Sequence, residues 1–495
     1  MKRYKTVLIL LGVLIVACVA TVIVKHTEEK KEQIKNTDEV IISVAPDAVT
    51  SLAWEYGETS LAFSRTDVWH WNEDEAFPVD EEKLNDLLGT FENFGAAFII
   101  EDVEDFGQYG LDDPTCTIRF TAEEKDYEVV LGAFSTMDAQ RYVSIGDGNV
   151  YLVKKDPFDS YEIELSDTIL HDDTPSFDKL AKITFAGTEN YTITYEEDST
   201  ATYCASDLYF TQRGGKTVPL DTYRVEDYCG DISLLNLKNY VSYNVTEEDL
   251  TAWGLDTPEL TVTVDYATVE KDEDGNETET PDTFVLHVGR NQEELAAKEA
   301  AEETAAAAEE AGEEPETDPA TLSVSAYARV GDSQIVYQIS TSDYNTLTAV
   351  AYDDLRHTEV LTADFAGVTQ IDVTLEGKDY TVTSEIPEAP EGEDDTGEEP
   401  KREYSYDGEE IDVTNLQSKV SALTVNSFTS DDPEDKEEIS LVFHLENENY
   451  PQVKVELYRC DGTNCLAVVD GETLGLVDRA SVVDLIEAVN SIILG

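Results

Sequence analysis

The chain has 495 residues, and its 107 acidic against 33 basic side chains give a net charge of −74. That charge excludes nucleic acid as a partner and disfavours anionic lipid surfaces, while favouring cations and tolerance of salt. The length exceeds what one core serves and points to about three domains; a hydrophobic content of 41% allows folded cores, and 25 Tyr among many Val and Thr lean towards β structure.

Lys2, Arg3 and Lys5 precede Thr6–Val24, "TVLILLGVLIVACVATVIV", which is 19 residues without a charge. As a helix it would span about 28 Å, close to the thickness of a bilayer core. Residues 1–24 therefore read as a cytoplasmic tail and transmembrane anchor, and 25–39 as a stalk. Two alternatives stay open. A cleaved signal peptide usually has a shorter apolar region. A lipoprotein signal is offered by "LIVAC", with Cys18 as the acylated residue, although the run stays apolar past it. Basic residues nearly tie across the span, with Lys25, Lys30, Lys31 and Lys35 on the far side. A short tail before an apolar run reads as a signal-anchor, so the expectation is a single-pass cell-membrane protein with most of the chain extracytoplasmic.

Three related repeats follow, at 40–170, 178–355 and 360–495. Each opens on a hairpin of alternating apolar residues: "VTSLAWEYGETSLAFSR", "LAKITFAGTENYTITYE" and "VTQIDVTLEGKDYTVTS". Each then carries an amphipathic helix of about four turns, N-capped by Asp80, Asp221 or Asp412. Counting from that Asp, position four is Leu84, Val225 and Leu416, position seven Leu87, Tyr228 and Lys419. Position eight is Leu88, Cys229 and Val420, and position eleven Phe91, Ile232 and Leu423. A joint comes next in two repeats, "YGLDDP" and "WGLDTP", where Gly110 and Gly254 supply positive φ and Leu111 and Leu255 plug the core. The third repeat has "SDDPEDKEEISLVF" there instead. Each repeat closes on a strand–turn–strand such as "RYVSIGDGNVYLV". The fold class is α+β: three related repeats, each a mostly antiparallel sheet with one amphipathic helix, after an N-terminal transmembrane helix. Acidic insertions at 270–282, 291–320 and 387–402 read as loop tips or disordered segments, the second with a solvated Ala/Glu helix.

Reactive motifs fail on inspection. "GGKT" at Gly214–Thr217 lacks the earlier glycine of a phosphate loop, and "SFDK" at Ser176–Lys179 lacks companion motifs. "DEDGNETE" has acids at calcium-loop spacing but Glu277 where glycine is required. Six scattered His give no metal spacing, and His171 and His357 fall at repeat ends, as linkers. No catalytic, cofactor or metal residue is expected. "VWHW", "LYF" and "YSY" put aromatics once per repeat on a strand, read as core in preference to a sugar-stacking platform. In "CDGTNC" a turn separates Cys460 and Cys465, which makes them a disulfide candidate across a hairpin; Cys204 with Cys229 is a second. The cysteines of repeats two and three suit an oxidising compartment.

The joint, the Trp-x-Trp strand, the Asp-capped helix and "GDGNVYLV" together resemble a bacterial family, domain of unknown function 4340, most closely over Val40–Asp167. An N-terminal anchor fits that family. Its members are often encoded beside ABC-transporter components of the gliding-motility type, which implies a non-catalytic accessory at the cell surface with a transporter permease as possible partner. The family brings no site residues to carry over. The competing expectation is a cell-surface polysaccharide or peptidoglycan binding module.

Overall fold

The computed structural model describes residues 33–272, 274–312, 317–387, 402–433 and 436–494. The expected anchor, Cys18 and the insertion at 388–401 lie outside the described residues. Among those described, no helix is long and apolar enough to cross a membrane. The chain divides into two units. The first runs to Asp172 and takes in Tyr240–Asn244; the second holds Asp173–Asn239 and Val245–Gly495.

The first unit is built on a ten-stranded sheet. Its strands are β1 (Gln33–Asn36), β2 (Val40–Ile42), β3 (Val49–Tyr56), β4 (Thr59–Arg65), β5 (Trp69–Trp71), β6 (Phe94–Glu101), β7 (Cys116–Ala122), β8 (Lys125–Ser135), β9 (Gln140–Ser144) and β10 (Val150–Val153). They lie in the order β1-β6-β10-β9-β8-β7-β3-β4-β5, with β2 also on β6. Half of the expected stalk is thus part of the fold: β1 pairs antiparallel with β6, Gln33 opposite Glu101 and Asn36 opposite Phe98. The sequence hid this because a four-residue edge strand has too few alternations to register.

The second unit holds two further sheets. One comprises β11 (Lys179–Gly187), β12 (Tyr191–Tyr195), β13 (Tyr209–Arg213), β14 (Lys216–Pro219), β16 (Leu260–Lys271), β17 (Glu277–Arg290), β18 (Ala326–Val330) and β19 (Val336–Ile339), in the order β14-β13-β12-β11-β16-β17-β18-β19; β15 (Tyr240–Ser242) groups with the first unit. The other comprises β20 (Val368–Leu375), β21 (Lys378–Glu385), β22 (Glu403–Tyr406), β23 (Glu409–Ile411), β24 (Val425–Phe428), β25 (Glu437–Leu445), β26 (Gln452–Arg459), β27 (Asn464–Val469) and β28 (Glu472–Asp478), in the order β23-β22-β21-β20-β25-β26-β27-β28-β24. The strands pair antiparallel in all three, which makes the sheets variations on one plan.

The amphipathic helices are α1 (Glu81–Gly89), α3 (Thr222–Ser233) and α8 (Thr414–Ser421), each between the opening hairpin and the strands that follow. They have 9, 12 and 8 residues, two to three turns instead of four, so Phe91 and Leu423 lie past the helix ends. The stripe itself is buried as its spacing requires: Leu84, Val225 and Leu416 are at most 1% exposed, and Leu88, Cys229 and Val420 at most 3%. Lys419 instead reaches Asp484. The Asp80 carboxylate accepts from the N–H of Lys83, and that of Asp221 from Tyr223 and Arg224. In the third helix the cap position falls on Val413, and Asp412, one residue earlier, accepts from the Thr414 N–H at 2.8 Å. A helix at the end of each repeat returns beside the capped one: α2 (Phe158–Tyr161), α6 (Thr341–Thr348) and α9 (Arg479–Ile493). The Tyr161 hydroxyl donates to the Leu87 carbonyl, and the Tyr228 hydroxyl to that of Leu347; in the third repeat Leu485 and Val489 join the core around Leu416.

The joints depend on pairs of glycines. Gly110 and Gly254 have φ of 70° and 66°. Each lies over a second glycine in the neighbouring strand, Gly132 in β8 and Gly289 in β17. A Cβ on Gly132 would stand 2.3 Å from the Tyr109 carbonyl oxygen, and one on Gly289 2.5 Å from that of Gly254. The preceding aromatic rests on a strand tyrosine: Tyr109 on Tyr142 with centroids 4.9 Å apart, Trp253 on Tyr327 at 5.2 Å. Leu111 and Leu255 are buried, but in small cores of their own, the first with Ile100, Val150 and Leu152. Alternation along β8 puts Gly132 and Leu131 on opposite faces, so the joint covers the face of the sheet opposite Leu131.

One insertion is more ordered than its composition implies, and another takes the helical form expected of it. Glu270–Lys271 and Glu277–Asp282 extend β16 and β17 as a paired ribbon, with Lys271 opposite Glu277. The Ala/Glu tract forms α5 (Gln292–Ala311), capped by Asn291 and stopped by Gly312, with no buried residue, as expected of a solvated helix.

Three of the four tryptophans, Trp54, Trp69 and Trp71, lie in the first sheet, so their fluorescence reports its unfolding. Gly132→Ala is expected to destabilise that transition by about 1–3 kcal/mol through overpacking. Gly89→Ala, where an added Cβ meets nothing within 4 Å, should leave it unchanged or slightly raised. Equal urea midpoints for both variants would refute the two-glycine contact.

Candidate functional site

Most motifs singled out in the sequence are turn chemistry. Gly214 and Gly215, with φ of 58° and 81°, form the β13–β14 turn, and the neighbouring Lys216 pairs with Glu472 at 2.7 Å. In "SFDK" the Ser176 hydroxyl donates to Asp178, and Lys179 pairs with Glu279. The Asp272 carboxylate accepts the backbone N–H groups of Asp274 and Asn276 and thereby closes the β16–β17 hairpin. The strand aromatics are core: Trp69 is 3%, Phe210 0% and Tyr404 6% exposed.

The disulfide candidate is not brought together. Cys465 stands opposite Arg459 in the β26–β27 register, which leaves Cys460 one step out of line. Cys465 is buried, Cys460 is exposed, and all five described cysteines are free thiols. The turn was legible; the one-residue offset, which sends the two side chains to opposite faces, was not. Burial pushes the Cys465 thiol up to about 11 and those of Cys116 and Cys229 up to about 12.

A concavity lies in the second unit, where the second and third sheets meet. It has a volume of about 460 Å³ and is lined by Tyr203, Tyr352 and Tyr450 together with Lys216, Arg356 and Glu472. All three tyrosines are half-buried. Tyr203 meets Tyr450 edge-on at 5.6 Å, and the Arg356 guanidinium lies over the rings of Tyr352 and Phe428.

His357 and Glu359 open onto the same cleft. Their segment is fixed from both sides. The Leu355 carbonyl, at the end of α7 (Tyr352–Leu355), accepts the Asp221 N–H at 3.0 Å, while the Val425 N–H donates to Thr358 and the Val360 N–H to Leu423. Around the imidazole stand three carboxylates. Nε2 is 2.7 Å from Oδ1 of Asp207, and Nδ1 lies 3.9 Å from Asp221 Oδ2 and 3.8 Å from Glu359 Oε2. The Asp207 side chain is 1% exposed, and its other oxygen accepts the Thr202 hydroxyl at 2.5 Å. A carboxylate only accepts, so Nε2 carries the hydrogen and Nδ1 faces Asp221 and Glu359. Burial works against charge on His357, but the hydrogen bond to Asp207 and the charges of Asp207, Asp221 and Glu359 outweigh it and raise its pKa above the ordinary value. Spacing along the chain could not reveal this group, because its members come from 207, 221 and 357–359. The repeat-end position of His357 was the available signal, and it pointed to a linker.

Thiol labelling checks the cysteine arrangement. Among the described cysteines, Cys460 should react fastest in the native chain, and Cys460→Ser should remove that fast phase without changing stability. A native chain in which neither Cys460 nor Cys465 reacts until reduced would restore the bridge.

Residues 69–209 match the family model described as domain of unknown function (DUF4340). The match runs from the start of β5 to the start of β13, two strands that each follow the opening hairpin of their repeat, and so spans one repeat period. No curated protein and no solved structure matches the chain. The chain therefore carries a DUF4340 region at 69–209, the family that its joint, Trp-x-Trp strand and capped helix resemble.

Proposed function

We propose that the protein is a membrane-anchored extracytoplasmic accessory of an ABC-type transport system, acting by docking and not by catalysis. The observation that carries this reading is the uncharged run Thr6–Val24 so close to the first sheet. Gln33 already pairs with Glu101, which leaves Lys25–Glu32 as the tether. Those residues reach at most about 28 Å at roughly 3.5 Å each. The first repeat would then stay at the membrane surface, while acidic tips such as α5 are repelled by anionic headgroups. The first repeat also lacks the acidic insertions of the other two, and we assign docking to it, with a multi-spanning permease as partner.

Photo-crosslinkers at exposed Phe134 and Met137 are expected to capture a multi-spanning membrane protein in intact cells, and carbonate washing should leave the chain in the membrane. Recovery of glycan alone, or of nothing, from these positions would overturn the docking assignment.

A second reading, a polysaccharide or peptidoglycan binding module, is favoured by the cleft of the second unit. Its half-buried tyrosines with Lys216, Arg356 and Glu472 alongside suit a sugar better than the buried strand aromatics do. Under this reading Tyr352→Ala or Tyr450→Ala weakens retention on cell-wall glycan about tenfold. Unchanged retention in both variants removes it.

A further inference from the structure

We propose that Asp221, His357 and Glu359 form a binding site for a divalent metal ion, with Zn²⁺ the best match. One donor atom from each residue lies within 4.8 Å of the other two, and His357 Nδ1 faces Asp221 Oδ2 and Glu359 Oε2. Around a tetrahedral Zn²⁺ with bonds of about 2.0–2.2 Å, two ligand atoms stand about 3.3–3.6 Å apart. The separations from Nδ1, 3.9 and 3.8 Å, are a few tenths of an ångström wider, a difference that small side-chain rotations close. The Glu359 side chain is 41% exposed as a whole, with Oε2 turned inward towards the imidazole.

Three further features point to a ligand and not only to a crowd of acids. The first is the orienting carboxylate. A metal-bound histidine usually gives its other ring N–H to a carboxylate or carbonyl, which fixes the ring and makes the binding nitrogen more basic. Asp207 holds Nε2 in that way from an almost fully buried position. The second is Glu359 Oε2, a buried atom that accepts no hydrogen bond although it lies next to the imidazole. The third is the division of labour at Asp221. Its Oδ1 caps α3, while Oδ2 faces Nδ1 and also pairs with the Arg224 guanidinium at 3.4 Å.

One imidazole and two carboxylates select a borderline ion over calcium or magnesium, which take oxygen ligands. Because His357 and Glu359 also line the tyrosine cleft, an ion held here stands at the cleft wall, where a ligand's oxygen can complete its coordination. The site is independent of the docking assignment to the first repeat, so either can fail alone.

The test uses the full chain in detergent, stripped with chelator and titrated with Zn²⁺ in the presence of excess Mg²⁺ and Ca²⁺, which occupy the exposed carboxylates. Co²⁺ serves as an optical probe of the coordination. One Zn²⁺ per chain should bind despite the competing ions. His357→Ala and Glu359→Gln should abolish or strongly weaken it, while Asp207→Asn should weaken it about 10–100-fold by loosening the ring. Asp221→Asn keeps a good helix cap and should still lose affinity. Glu409→Gln, at an exposed acid on β23, should change nothing. Zn²⁺ that Mg²⁺ displaces completely, or affinity unchanged in both Glu359→Gln and a folded Asp207→Asn chain, would overturn the site.

Discussion

Each repeat depends on one strand pairing between residues far apart in sequence. The first strand of the opening hairpin must find the strand that follows the helix: β3 with β7, β11 with β16 and β20 with β25. Trp54 then stands opposite Ile118, Phe185 opposite Val262 and Val373 opposite Leu441, and every one of these side chains is at most 2% exposed. On one side the sheet continues through the hairpin, on the other through the closing meander. Closing a loop of about 60 residues costs chain entropy that grows slowly with length, so the intervening helix can vary from 8 to 12 residues without altering the plan. What the helix must supply is an apolar stripe, each fully buried Leu or Phe contributing about 1.5–3 kcal/mol.

The cleft of the second unit follows from chaining such repeats. The segment from Tyr352 to Val360 leaves the second sheet and enters the third, and on its way it is hydrogen-bonded to Asp221 on one side and Leu423 and Val425 on the other. A histidine on that segment meets carboxylates from the loop before β13, from the α3 cap and from its own segment. Helix capping and a junction between repeats, both structural necessities, thus bring titratable groups together with no motif in the sequence.

Legibility tracked the range of the interaction. The stripe Leu84, Leu87 and Leu88 could be read because 3.6-residue periodicity is local, and Gly110 and Leu111 because a turn leaves its residue types in one short phrase. Whatever depended on partners elsewhere in the chain was missed. The edge strand Gln33–Asn36 exists only through β6; the ribbon at 270–282 is defined by pairing that its acidic composition obscured; the offset of Cys460 and Cys465 is set by the register of the whole β26–β27 ladder. The group around His357 is the extreme case, assembled from residues 207 to 359. Gly132 and Gly289 were passed over because a glycine inside a strand looks like a weak strand residue until the opposing backbone is known.

That last pairing carries a consequence for how the repeats can change over time. The register places Tyr458 in the third sheet where Gly132 and Gly289 stand in the others, since Cys116 faces Leu131, Leu260 faces Val288 and Ile439 faces Leu457. The third repeat is also the one without the joint. A loop backbone pressed on a strand forbids any side chain beneath it, and once the loop has gone that prohibition lifts. A large residue arriving in the vacated space then bars the loop from returning. Divergence among the three copies is in this respect a ratchet: each joint can be lost in one step, but its recovery would require two changes at once.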